Sequence, residues 1–169
     1  PDIVGRDLAK EAVLLTVCAL LKIPDIAGGA NLRGAPATFF FGDTKQAKSY
    51  IAKDAAAMLR CPWIDANNAS RTGAMYALTE RKDGGWHVEW GTLPRNHGKY
   101  AVLDELQAWP PEEMSKLRGV LNDGEIQFHK VRRGRRPCAL RYVATGNPAT
   151  AGTPKPMKDF PYPIAAIPE

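Results

Sequence analysis

The segment Gly42-Asp43-Thr44-Lys45-Gln46-Ala47-Lys48-Ser49 has the residue types that a phosphate-binding loop needs. It lies between an apolar run and an Ala-rich stretch, the layout of a strand, a loop and a helix. Backbone N–H groups of such a loop and of the helix start point at phosphate oxygens. Lys48 would set a point charge on the β- and γ-phosphates, and the Ser49 hydroxyl could ligate Mg²⁺. The pattern GxxxxGK[ST] is met except at its second glycine, which is Ala47. A second group, Tyr100-Ala101-Val102-Leu103-Asp104-Glu105, ends an apolar run in two carboxylates. Asp104 would stand on the metal side, and Glu105 would be the base that orients an attacking water. A third, Val143-Ala144-Thr145-Gly146-Asn147-Pro148, puts the amide of Asn147 at a strand end within reach of a γ-phosphate. Read singly, these are also an ordinary loop with a surface lysine, a solvated strand end and a turn. In this order along one chain they favour a nucleotide site.

The elements that must position these residues are legible in outline. Leu8, Val13, Leu14, Val17 and Leu21 recur at helical spacing over residues 7–22, with Pro24 as the stop. Residues 37–41 suit a buried strand and 47–60 a helix. Pro62-Trp63-Ile64-Asp65 suits a second strand, residues 100–103 a third and 140–145 a further one. Residues 71–95 read as an insertion holding a hairpin, with Tyr76-Ala77-Leu78-Thr79 and Trp86-His87-Val88-Glu89-Trp90 as its arms. Trp86 and Trp90 are expected to pack. Pro110-Pro111-Glu112-Glu113 opens a helix carrying Met114, Leu117 and Leu121. A basic hairpin spans 125–142 with Gly134 near its tip, and the Pro-rich tail from Pro148 should be irregular. Strands alternating with helices predict an α/β fold with a largely parallel sheet.

The bulk properties agree with one soluble globular domain. The 169 residues are 44% hydrophobic and 24% charged, and no apolar run is long enough to span a bilayer. The chain opens on Pro1 without a signal-peptide layout, which suggests a piece of a longer protein. Cys18, Cys61 and Cys138 are widely spaced and read as free thiols of a reducing compartment; neither they nor His87, His97 and His129 have metal-ligand spacing. The net charge is +5, yet Lys130, Arg132, Arg133, Arg135, Arg136 and Arg141 fall within one acid-free segment; subtracting those six leaves −1. The basic character is therefore local.

Over nearly its whole length the chain resembles the AAA+ domain of the MCM replicative helicases. The resemblance rests on Pro1-Asp2-Ile3-Val4-Gly5 with Lys10 and Ala12, on Leu32-Arg33-Gly34, and on Phe41-Gly42-Asp43 followed by Ala47-Lys48-Ser49. That family's phosphate loop has Ala where others have the second Gly. Glu89-Trp90-Gly91-Thr92-Leu93 resembles the end of its second-helix insertion, Leu103-Asp104-Glu105-Leu106 its Walker B strand, and Gly146-Asn147-Pro148 its sensor 1. The resemblance implies a three-layer P-loop NTPase core over residues 1–169 that binds ATP and Mg²⁺. Gly42 to Ser49 would hold nucleotide, Ser49 and Asp104 the metal, and Lys48, Glu105 and Asn147 would carry the chemistry. It implies one subunit of a hexameric ring moving on DNA in replication, cytoplasmic and nucleoid-associated in a prokaryote or nuclear in a eukaryote, with no membrane partner. The family's Pro-Gly after the loop Asp is Thr44-Lys45 here. Its arginine finger, helical lid and N-terminal DNA-binding domain are not matched by any residue of the chain, so weak turnover is expected of these residues alone.

The resemblance also assigns residues 125–142 to the presensor-1 hairpin that projects into the ring channel, with Lys130 at the channel-facing position. Arg132, Arg133, Arg135 and Arg136 would join it against the phosphate backbone of DNA, since a cationic tip neutralises phosphates without reading bases. Two other classes fit the same residues. One is a MoxR- or chelatase-like AAA+ remodeller of proteins. The other is an MCM-like chain that keeps the fold without turnover.

Overall fold

The computed structural model describes residues 3–23, 32–34, 36–43, 45–129 and 133–147; of Leu32, Arg33, Arg71 and His129 it describes the backbone only. The elements run α1 (Asp7–Cys18), β1 (Lys22–Ile23), β2 (Leu32–Arg33), β3 (Thr38–Phe41), α2 (Lys48–Leu59), β4 (Trp63–Asp65), α3 (Arg71–Ala74), β5 (Tyr76–Glu80) and β6 (Trp86–Trp90). Then come α4 (Thr92–Arg95), β7 (Tyr100–Asp104), a 3₁₀ turn (Leu106–Ala108), α5 (Pro111–Asp123), β8 (Glu125–His129), β9 (Arg133–Pro137) and β10 (Arg141–Gly146).

Four strands form the central sheet in the order β3–β10–β7–β4, and all three pairings are parallel. The chain is thus an α/β protein with a parallel sheet. Because side chains alternate along a strand, the buried residues of β7 and β10 divide between two faces. Val102 and Val143 meet Val13 of α1 and Ile51, Ala52, Ala55 and Ala56 of α2. Ala101, Leu103, Tyr142 and Ala144 meet Met114, Leu117 and Val120 of α5. Helices therefore cover both faces, as a parallel sheet requires, and the arrangement is compatible with three layers. The small side chains along α2 let that helix lie close over β7 and β10.

Three smaller pieces are antiparallel: β1 with β2, β5 with β6, and β8 with β9. The two longer hairpins dock through an aromatic cluster. The Tyr76 and Phe128 ring centroids are 5.4 Å apart, those of Trp90 and Phe128 5.9 Å, and those of Tyr76 and Trp90 6.3 Å. The Arg136 guanidinium lies over the Trp90 ring at 4.9 Å.

Several expectations are corrected. The first helix ends at Cys18, four residues short of the expected end, where Ala19 turns extended; Pro24 does not end it. Its inward face is Val13 and Thr16, while Leu8 and Leu14 are 83% and 55% exposed. Thr16 earns burial because its hydroxyl donates to the Ala12 carbonyl and meets the Thr38 hydroxyl of β3. Gly134, expected near the hairpin tip, lies in β9 one pair in from the last described pair, opposite Phe128. A Cβ there would stand 2.3 Å from the Phe128 ring, so the absent side chain is what lets the ring lie flat across the strand. The hairpin's second arm ends at Pro137, leaving 138–140 between it and β10. Trp86, expected to pack, is 39% exposed. The expected loop at Gly28-Gly29 and the Pro-rich tail from Pro148 lie outside the described residues.

Candidate nucleotide site at the sheet's carboxyl edge

Parallel strands bring their carboxyl ends to one edge, where ligands of open α/β sheets bind. Here β3 delivers Gly42, Asp43, residues 45–47 and the start of α2 to that edge, β7 delivers Asp104 and Glu105, and β10 delivers Thr145 and Asn147. The strand order sets β10 between β3 and β7. Thr145 thus follows Ala144, the register partner of Leu103, and lies beside Asp104.

Asp104 is the centre of the cluster and is 2% exposed. Ser49 donates to its Oδ1 at 2.9 Å, and the Thr145 hydroxyl, itself fully buried, donates to the same oxygen. The indole Nε1 of Trp63 donates to Oδ2 at 3.2 Å. The backbone N–H of Glu105 donates to the Thr145 hydroxyl at 3.1 Å, so one threonine ties the two consecutive acids of β7 to β10. A buried carboxylate survives only when hydrogen-bonded, and three elements supply its donors.

Glu105 is held separately. Asn147 Nδ2 donates to its Oε2 at 2.8 Å, and the amide of Gln107 donates to the same oxygen. Gln107 Oε1 in turn accepts the backbone N–H of Asn147 at 3.1 Å. The other amide oxygen, Asn147 Oδ1, is buried without a hydrogen-bond partner among the described residues. Such an atom costs free energy in isolation and suits an unfilled donor position.

Lys48 opens α2, and its ammonium donates to the carbonyl of Asp43 across the loop. Burial draws its pKa below the ordinary lysine value, while Glu105, Asp43 and Asp104 pull the other way. Those three acids are the groups whose field reaches it. The site holds left-handed backbone in two places: Lys45 and Ala47 of the loop have φ of 64° and 62°, and Glu105 after β7 has φ of 56°. A left-handed backbone costs an L-residue roughly 1–2 kcal/mol, and such strain gathers at functional sites. The reason for glycine at the second position of the loop pattern is visible here: position 47 is left-handed.

The sequence-derived set is thus largely convergent. Gly42, Asp43, Lys45, Gln46 and Ala47 form the loop, and Lys48, Ser49, Asp104, Glu105 and Asn147 converge beside it. Thr44 lies outside the described residues. Of the basic set, Lys130 and Arg132 also lie outside them, while Arg133, Arg135 and Arg136 are exposed on β9. Strand alternation parts these three. Arg136 shares the Phe128 face and caps Trp90, whereas Arg133 and Arg135 point from the opposite face to solvent. Arg141 belongs to neither site: its Nε donates to the Ala19 carbonyl at 2.5 Å, and it lies over Tyr100 at the other end of the sheet. Sequence reasoning missed Thr145 and Trp63, because their roles depend on register between strands far apart in the chain, and Gln107, which joins Glu105 to Asn147 from the 3₁₀ turn.

Among the described residues no group of three or more His, Cys, Asp and Glu side chains could hold a metal. One carboxylate beside a hydroxyl is still an adequate protein share for Mg²⁺, which takes most of its shell from water and phosphate. The Ser49–Asp104 hydrogen bond sets that pair together. No protein-family model matches the chain.

Proposed function

We propose that the chain is the ATP-binding core of a P-loop NTPase of the AAA+ kind, related to the MCM helicases and working as a motor subunit on DNA. The observation that carries this reading is the meeting of Ser49 with Asp104 at 2.9 Å beside Lys48 and the Asn147–Glu105 pair. Residues from three strand ends separated by up to 105 positions converge on one edge at the start of a helix, the arrangement phosphoryl transfer uses. Catalysis of that transfer is mostly positioning and charge stabilisation, so the expected parts are few.

In this reading the N–H groups of residues 45–49 face the phosphates, and Lys48 exchanges the Asp43 carbonyl for β- and γ-oxygens. Ser49 and Asp104 would hold Mg²⁺, which would supply positive charge beside the phosphates. Glu105, steadied by Asn147 and Gln107, orients the attacking water. The buried Asn147 Oδ1 is placed to accept from it. The resemblance in the sequence supplies the remainder of the proposal: a homo- or hetero-hexameric ring, with Arg133 and Arg135, and Lys130 and Arg132 beside them in the chain, turned to the DNA backbone.

The test compares Mg²⁺–ATP binding by the chain and its Lys48→Ala variant, by calorimetry. A charge-assisted contact is worth about 1.5–3 kcal/mol, so the variant is expected to bind about 10–100-fold more weakly. Equal affinity would remove the phosphate-loop reading. Labelled single-stranded DNA supplies the second arm. Salt-sensitive binding supports the helicase reading, whereas nucleotide binding without any DNA binding moves the chain to the protein-remodelling AAA+ relatives.

A further inference from the structure

We propose that Trp63 is a positioning residue for the Asp104 carboxylate, and through it for the divalent cation of the nucleotide site; the inference rests on the ATPase reading above. Asp104 is buried, and its two oxygens are treated differently. Ser49 and Thr145 both converge on Oδ1. Among the described residues the single donor to Oδ2 is the Trp63 indole, at 3.2 Å. Two donors on one oxygen leave the carboxylate free to turn about that oxygen. A donor on the second oxygen removes that freedom and directs the Oδ1 side toward Ser49, where the cation would lie.

Packing does not account for the residue. Trp63 is 38% exposed and belongs to neither apolar cluster. It begins β4, in register with Val102, two positions before the residue that pairs with Asp104. The long indole runs forward along the strand to reach that carboxylate. Its ring is held from the other side by α2: the Lys53 ammonium lies 4.4 Å from the ring centroid. A cation on the ring face draws electron density from it, which makes the indole N–H a better donor. Groups that orient a metal ligand from behind commonly matter about 10–100-fold in metal affinity. The exposure of Trp63 lets water replace part of the contact, so the lower end of that range applies.

The test is Trp63→Phe, which keeps an aromatic ring for Lys53 and deletes the N–H. The quantity read is the gain in affinity for a non-hydrolysable ATP analogue on passing from EDTA to saturating Mg²⁺, measured by calorimetry on the whole chain. The wild type is expected to show a gain, and the variant a gain about tenfold smaller, with unchanged affinity in EDTA and an unchanged melting temperature. An equal gain in both proteins overturns the proposal. Lower affinity in EDTA together with a lower melting temperature also overturns it, because Trp63 would then serve the fold and not the metal. If the wild type fails to bind the analogue at all, the functional reading itself falls and takes this one with it.

Discussion

At the scale of single residues, the loop shows why a motif admits one substitution and refuses others. Position 47 requires a left-handed backbone, with φ of 62°. Glycine enters that region freely, whereas Ala pays a steric cost but adds no bulk beyond Cβ. Ala47→Gly is therefore expected to stabilise the chain by about 1 kcal/mol, read as a shift in the urea midpoint without a change of slope. A loss of stability would mean that the loop relaxes out of that conformation in solution. The thiols give a second prediction. Cys138 is fully buried, and burial pushes its pKa up to about 12, with Arg136 opposing. Burial also raises the half-buried Cys61, while Cys18 is exposed. Because only the thiolate reacts, at pH 8 a disulfide reagent should modify Cys18 first and Cys61 more slowly. Cys138 should react only as fast as the protein opens. Rapid modification of all three would contradict the burial of Cys138.

Elements were readable to the degree that local pattern decides them. The Phe-rich strand β3, the Ala-rich helix α2 and the first hairpin emerge within a residue or two of their expected places, because alternation, alanine content and turn residues are properties of the segment itself. The end of α1 was not readable. Its leucines give a helical period through Leu21, but the fold buries Val13 and Thr16 and leaves Leu8, Leu14 and Leu15 outside. Which stripe faces inward depends on Thr38 of β3, a partner that periodicity along α1 does not contain. Gly134 makes the same point for hairpins. A turn signal by composition, it is a packing residue by position, because Phe128 lies across it. Gly134→Ala sets a methyl carbon 2.3 Å from that ring. The variant is expected to lose about 1–3 kcal/mol, measured by denaturant unfolding, and to perturb the Trp90 fluorescence through the shared cluster. Unchanged stability would show that the ring moves aside freely.

For the molecule as a whole, the charge map and the sheet have separate origins. The formal charge of +5 is concentrated next to the second hairpin, whereas the candidate nucleotide site brings acids together at the sheet edge. If Arg133 and Arg135 touch a phosphate backbone, the slope of log K against log salt for single-stranded DNA binding should become shallower by about 0.7 for each arginine replaced by alanine. Arg136→Ala should act differently, since its guanidinium rests on Trp90 and its loss weakens hairpin docking. Equal slopes for all variants would detach the hairpin from DNA. The candidate site was legible residue by residue, because Lys48, Asp104 and Asn147 carry their chemistry in their types and order. Its inner bonds were not, since Thr145 and Trp63 meet Asp104 only when strands distant in the chain become neighbours in the sheet.

The position of β10 also sets a timetable for folding. It is the last described strand in the chain, yet it lies in the interior of the sheet, bonded to β3 on one side and β7 on the other. Until residues 141–146 arrive, β3 and β7 have no neighbour between them, and both present open edges of the kind that invite wrong pairing. The two halves of the site are then about two strand spacings apart, roughly 9–10 Å, with no strand between them. During synthesis, a ribosome-bound chain that has exposed residues 1–140 would contain the whole loop, Asp104 and Glu105, and still have no finished pocket. β10 works like the last stone of an arch: its insertion closes the sheet and completes the candidate site in one event.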